Sequence, residues 1–210
     1  MKKQLSIIFT MITLFSSAVF AQKTRFGIQA GPALSNTVSK FGDVQINSDW
    51  KPGFTGGLVV DIPISGHFIF QPALNFVQKG NKSKDGTDVT TTTLNYIEAP
   101  LNFIYRQHAA SGFFAGIGPS IGYGISGVEK SNGEKSNLHF GNNEDKDDLK
   151  QMDFGGNLMA GYLFGNGIFI AANYNKSFSN LVIGDLGNDF KIRNNYFGLR
   201  VGYFFKGKSK

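Results

Sequence analysis

Apolar and polar residues alternate with a period of two through most of the chain. Phe26, Ile28 and Ala30 are apolar, and Gly27, Gln29 and Gly31 between them are small or polar. Phe54, Leu58, Val60 and Ile62 oppose Thr55, Gly57, Val59 and Asp61 in the same way. A third segment sets Phe68, Phe70, Leu74 and Phe76 against Gln71, Ala73, Asn75 and Lys79. A fourth sets Ile97, Ala99, Leu101, Phe103 and Tyr105 against Glu98, Pro100, Asn102 and Arg106. Ile69, Val77 and Ile104 depart from the pattern by falling in the polar set.

The second half repeats the logic. Phe113, Ala115, Ile117, Ile121 and Tyr123 oppose Gly116, Gly118, Ser120, Gly122 and Gly124. Phe154, Leu158, Ala160 and Tyr162 oppose Asp153, Gly155, Asn157 and Gly161. Ile168, Ile170, Ala172 and Tyr174 stand against Phe169, Ala171, Asn173 and Asn175. The last segment places Phe197, Leu199, Val201, Tyr203 and Phe205 opposite Tyr196, Gly198, Arg200 and Gly202. A period of two over such lengths marks strands whose faces meet different surroundings.

The connections alternate too. Short ones fall near Pro63 to His67, Gln107 to Gly112 and Gly165 to Gly167. Long polar ones fall near Asn36 to Trp50, Gly80 to Thr92, Ser126 to Lys150 and Ser179 to Ile192. Tight turns at one end and long loops at the other describe an up-and-down barrel. Eight strands close into a ring narrow enough for side chains to fill. The expected fold is all-β: an eight-stranded antiparallel up-and-down transmembrane β-barrel of the small outer-membrane type.

The polar set decides which face is wet. A secreted lipocalin-like binder of small ligands would hold the apolar set inside and carry many Lys, Glu and Arg outside. Here the second set is mostly Gly, Ala, Asn and Ser, with isolated Asp61, Lys79, Glu98, Arg106, Asp153 and Arg200. Those residues suit a narrow lumen, and the Phe-rich set suits hydrocarbon. A spanning β-strand needs only about 9 to 11 residues, so the lack of a later long apolar run is no obstacle. With the amino end in the periplasm, Tyr105, Tyr162 and Tyr203 fall near the periplasmic rim. Trp50, Tyr123, Phe154 and Tyr174 then fall nearer the outer rim, as two aromatic belts require.

The amino terminus is of a different kind. Lys2 and Lys3 precede an apolar stretch from Leu5 to Phe15, and Val19-Phe20-Ala21 suits cleavage before Gln22. Residues 1–21 are therefore expected to be a signal peptide and residues 22–210 the barrel. Losing Lys2 and Lys3 takes the formal charge from +6 to +4. That modest, scattered excess argues against a nucleic-acid partner. Charged residues are 17% of the chain, against roughly 25% in soluble domains. There is no Cys, which excludes disulfides, thiolate metal sites and a cysteine nucleophile.

Several blocks resemble the outer-membrane β-barrel family of Bacteroidetes-type bacteria, often labelled PorT-like. They are Phe26-Gly27-Ile28-Gln29-Ala30-Gly31-Pro32, Phe70-Gln71-Pro72-Ala73-Leu74 and Leu94-Asn95-Tyr96-Ile97-Glu98-Ala99-Pro100-Leu101. Gly116-Ile117-Gly118-Pro119 and Tyr196-Phe197-Gly198-Leu199-Arg200-Val201-Gly202-Tyr203 complete them. The resemblance implies an outer-membrane barrel with a cleaved signal peptide. The family's namesake takes part in protein secretion across the outer membrane, and the resemblance supplies no catalytic residue. Many outer-membrane barrels end on the closing aromatic, whereas this chain continues through Lys206-Gly207-Lys208-Ser209-Lys210.

The candidate site is an interior polar network of Asp61, Glu98, Arg106, Asp153 and Arg200, which share inward parity. It is read as structural, neutralising charge in a plugged lumen, with an ion-selecting constriction as the alternative. Glu98 is expected to pair with Arg200 or Arg106. The charge-rich run Glu129 to Lys150 lacks a calcium-loop pattern and reads as a surface recognition loop. Gly122 to Gly127 matches a dinucleotide pattern but opens no helix, so no nucleotide site is expected. His67, His108 and His139 lie too far apart along the pattern to share a metal. No cofactor, metal or enzymatic activity is expected. The expected partners are outer-membrane lipid and an unidentified extracellular or envelope protein or glycan at the loops, with the barrel a monomer. The competing functions are a narrow pore and an accessory part of outer-membrane protein secretion.

Overall fold

The computed structural model describes residues 24–86, 88–108, 110–143, 145–184 and 190–205. The expected signal peptide and the segment Lys206 to Lys210 lie outside them. Among the described residues twelve strands follow in chain order: β1 Arg25–Phe41, β2 Val44–Asn47, β3 Lys51–Ser65, β4 Phe68–Asp85, β5 Asp88–Arg106 and β6 Gly112–Ser131. Then come β7 Glu134–Leu138, β8 Phe140–Gly141, β9 Leu149–Lys150, β10 Met152–Leu163, β11 Ile168–Ser177 and β12 Phe190–Phe204.

Eight of these form a closed antiparallel ring in the order β1, β3, β4, β5, β6, β10, β11, β12. The ring shuts where β12 pairs with β1, from Gly27↔Phe204 to Phe41↔Phe190. Closure gives every ring strand two partners, so no sheet edge is left to satisfy. That is the condition for crossing hydrocarbon, where no water can bond a free N–H or C=O.

The facing of side chains is the inverse of a soluble protein. Phe26 (62%), Leu58 (59%), Phe113 (68%) and Ile117 (65%) are among the most exposed large side chains. Asp61, Glu98 and Arg106 are fully buried, and Lys79, Arg200 and Asp153 nearly so. Charge inside and Phe, Leu and Ile outside is stable only when the surroundings are apolar. Ile69, Val77 and Ile104 point inward with the polar set, as their parity requires.

The three short connections stand at one end of the ring and the long ones at the other. The long connections differ from their sequence reading, which treated them as loops. Gly80 to Thr92 is a continuation of the β4–β5 ladder that runs to Asp85↔Asp88. β1 extends to Phe41 and folds back through β2, and β6 extends to Ser131 and folds back through β7. The alternation disappears there for a physical reason. Beyond the hydrocarbon both faces of a strand meet water, so Thr90 to Thr93 and Lys82 to Lys84 need no apolar side. A bulge between Asn95 and Tyr96, opposite Ile125, shifts the β6 facing at the same point.

Candidate functional site

The inward side chains of the ring form distinct layers along its length. At the short-turn end nine residues form an apolar cluster: Val59, Ile69, Ile104, Phe114, Met159, Leu163, Phe169, Ala171 and Phe204. Phe169 and Phe204 meet at 4.9 Å between ring centroids. Their strands put them there because the inward positions of β6, β11 and β12 near the turns hold Phe where the midsections hold Gly or Asn. Arg25 and Arg106 lean on this cluster, with their guanidinium carbons 5.3 Å from the Phe204 ring and 5.7 Å from the Phe114 ring. Both arginines bond the same Asp61 oxygen, at 2.9 Å and 2.7 Å, and Gln71 donates to its other oxygen at 2.6 Å.

Farther along the strands the lumen is lined with amides. Gln29 Nε2 donates to Asn75 Oδ1 at 2.8 Å, and Asn157 Nδ2 to Asn102 Oδ1 at 2.8 Å. Asn173 continues the chain to Asn157 at 3.1 Å. The first two bonds each skip a strand, β1 to β4 and β10 to β5, and the third joins the neighbours β11 and β10, because each amide offers a donor and an acceptor at once.

Beyond the amides lies a knot of charge. Lys79 Nζ sits 2.8 Å from Glu98 Oε2 and 3.0 Å from Asp153 Oδ2. Its ammonium also lies 4.9 Å from the centre of the Tyr96 ring and 5.4 Å from that of Tyr196, a geometry that favours a cation. The Tyr196 hydroxyl donates to Glu98 Oε1 at 2.5 Å and accepts from Arg200 Nη2 at 3.1 Å. Ser177 donates to the second oxygen of Asp153. Two cations, Lys79 and Arg200, thus balance two carboxylates.

The five residues singled out from the sequence therefore fall into two groups. Asp61 and Arg106 meet at the short-turn end, and Glu98, Asp153 and Arg200 gather in the knot. The expected pairing of Glu98 needs correction. It pairs with neither arginine: Lys79 is its ion partner, Arg200 reaches it only through the Tyr196 hydroxyl, and Arg106 belongs to Asp61. Sequence reasoning placed Lys79 and Tyr196 inward but gave them no role. The signal was present, since Lys79 stands two residues beyond the inward Val77 and is the basic residue of the inward set on β4.

At the far mouth the β11–β12 connection turns one apolar side chain inward. Leu181 is fully buried, and its backbone is pinned by Lys150 N to Leu181 O and Leu181 N to Ile192 O, both 2.9 Å. With Thr37, Asn81, Leu94, Glu129 and Asn194 it lines a cavity of about 280 Å³. His67 and His108 lie at the turn end, where the His67 ring bonds the Arg106 carbonyl at 3.0 Å, and His139 lies beside the β7–β8 connection. The glycine-rich run Gly122 to Gly127 is part of strand β6.

No curated protein matches this chain. Among solved structures, Ail, the attachment invasion locus protein of Yersinia pestis, is 15% identical, with a TM-score of 0.45 over 88% of this chain and 100% of that one. Neisserial surface protein A is 16% identical, with a TM-score of 0.49 over 86% and 97%. OprG from Pseudomonas aeruginosa is 11% identical, with a TM-score of 0.48 over 89% and 98%. The sequence pattern of the outer membrane protein beta-barrel domain matches residues 20–182, well over half of the chain. A closed eight-stranded ring with apolar exterior and charged lumen, carrying that pattern, belongs to the outer membrane protein β-barrel domain family and resides in the outer membrane.

Proposed function

We infer that this barrel is a monomeric, non-enzymatic membrane anchor with a closed lumen, whose long-connection end presents a binding surface outside the cell. The observation that carries this reading is the succession of inward side-chain layers along the ring. An apolar cluster, an amide layer, an ion-paired knot and Leu181 stand in series along the ring. The polar networks tie strands together across the lumen and so act structurally, as proposed for Asp61, Glu98, Arg106, Asp153 and Arg200. A pore would need a continuous wet path, and the inward Phe114, Phe169 and Phe204 interrupt one. Planar-bilayer recording tests this point: the purified barrel is expected to add no steady channel conductance, and a stable single-channel step would overturn the plugged reading.

The projecting β4–β5 and β6–β7 ladders supply the surface. They carry a strand pair well past the roughly ten residues that a bilayer needs, and loops on rigid scaffolds are where binding residues concentrate. Residues 1–21 act as a cleaved export signal in this reading, with the mature chain starting at Gln22. The PorT-like blocks fit the same envelope setting and leave a secretion accessory as the neighbouring reading. The chain holds no Cys, so orientation can be tested with one introduced thiol. Asn132→Cys, at the β6–β7 turn, is expected to react with an impermeant maleimide on intact cells. Ser65→Cys, at the β3–β4 turn, is expected to stay unlabelled until the outer membrane is broken. The reverse pattern would put the ladders in the periplasm.

A further inference from the structure

The barrel carries a second cavity, of about 470 Å³, on its outside wall rather than in its lumen. Its lining includes Asn36, Trp50, Tyr174, Lys176, Arg193, Asn195 and Phe197. These positions share the outward parity of Leu34 and Leu199, which face hydrocarbon with about half their surface exposed. The register brings them together: Asn36 pairs with Asn195, Asn195 with Lys176, Val38 with Arg193 and Tyr174 with Phe197. The groove lies beyond Leu34 and Phe197 toward the long connections, so it sits where the apolar band gives way to the head-group layer.

Three features make it a site rather than a dent. Its floor is an aromatic shelf, with Tyr174 and Phe197 4.5 Å apart and Trp50 and Phe197 5.5 Å apart. Two cations flank it, and among the described residues neither Lys176 nor Arg193 has a carboxylate within ion-pair distance. Asn36 and Asn195 are 8% and 7% exposed, yet their Oδ1 atoms, and Nε of Arg193, have no hydrogen-bond partner. Buried polar atoms without partners are costly, so they mark where a ligand's own donors and acceptors belong.

We propose that this groove seats the phosphate-bearing saccharide head group of a lipid in the outer leaflet. A guanidinium and an ammonium match a phosphate. Flat aromatic faces with flanking amides match a sugar ring and its hydroxyls, while the lipid's chains continue down the Leu34, Phe197 and Leu199 wall. A soluble anion lacks those chains, and a plain phospholipid lacks the sugar that the shelf and amides would meet. Only the choice of leaflet rests on the orientation given above; the site itself does not.

Trp50 is the single tryptophan, so its fluorescence reads this groove alone. Folded barrel in neutral detergent micelles would be titrated with bisphosphorylated lipid A, dephosphorylated lipid A, phosphatidylglycerol and inorganic phosphate. The bisphosphorylated form is expected to give a saturable Trp50 change. Lys176→Gln with Arg193→Gln should weaken it at least tenfold while the heat-dependent gel shift of the folded barrel is retained. An equal response to phosphatidylglycerol, to dephosphorylated lipid A or to inorganic phosphate would overturn the proposal, as would an unaltered affinity in the double variant. Lipid A binding combined with reversed thiol labelling would reject the orientation and leave the site standing.

Discussion

Lys79→Met should destabilise the barrel by about 3–5 kcal/mol, the scale expected when one partner is removed from a buried ion cluster. Met keeps an unbranched apolar stem out to the ε-carbon and removes only the ammonium that lies by the Tyr96 and Tyr196 rings, so the loss reports on the charge. Glu98 and Asp153 would then face each other across a lumen with no ammonium between them; Arg200 reaches Glu98 only through the Tyr196 hydroxyl. The check is urea unfolding of barrels in lipid vesicles, followed by Trp50 emission and the gel shift. Adding Glu98→Gln and Asp153→Asn to Lys79→Met should recover much of the loss, because amides leave no uncompensated charge. An unchanged midpoint in the single variant, or no recovery in the triple one, would show that the knot is not the ion cluster described.

The same cluster shows what alternation can and cannot convey. Parity along a strand assigned Lys79, Glu98, Asp153 and Arg200 to the lumen, because a face is a property of one strand and its period. Pairing is a property of several strands and of their stagger around the ring. Glu98 and Lys79 lie on neighbouring strands whose register is offset by the barrel's tilt, and that offset is not written in either segment. Asp153 arrives from a strand two places farther round. Arg106 shares the facing of Glu98 but not its height, and Arg200 shares both but meets the Tyr196 hydroxyl first.

The ring of eight and its closed order were legible for the opposite reason. Each connection joins strands adjacent in sequence, three of the turns are short, and the paired strands carry matching alternation, so Pro63 to His67 and Gly165 to Gly167 announce their own neighbours. The projecting ladders escaped because alternation records a contrast between two solvents. Asn81↔Thr92 and Lys84↔Val89 are paired as firmly as Phe76↔Ile97, but both their faces meet water. The outside groove was invisible for a related reason. Trp50 read as a belt residue, while Asn36, Lys176 and Arg193 sit at strand ends where polarity has its ordinary cause, and only the register sets them side by side.

Gly118→Val should prevent a folded barrel from forming. Gly118 faces inward on β6, and a Cβ placed there would lie 1.9 Å from the Leu101 carbonyl oxygen and 2.8 Å from Asn102 Cα. Both obstacles are backbone of the adjacent strand β5, which cannot turn away as a side chain could. Making room would mean separating two ring strands whose ladder runs from Thr90↔Ser131 to Arg106↔Phe114. In hydrocarbon each broken rung leaves a donor and an acceptor without water, so separation costs more than it would in a soluble sheet. Gly118→Ala already meets the same oxygen and should lower the unfolding midpoint sharply. Gly165 is the control: nothing lies within 4 Å of its added Cβ, and Gly165→Ala should shift stability by no more than about 0.5 kcal/mol. The readout is the fraction of unboiled protein at folded mobility after refolding into vesicles. If Gly118→Val folded as completely as Gly165→Ala, the close approach of β5 and β6 would be wrong, and with it the narrow lumen into which the ion knot fits.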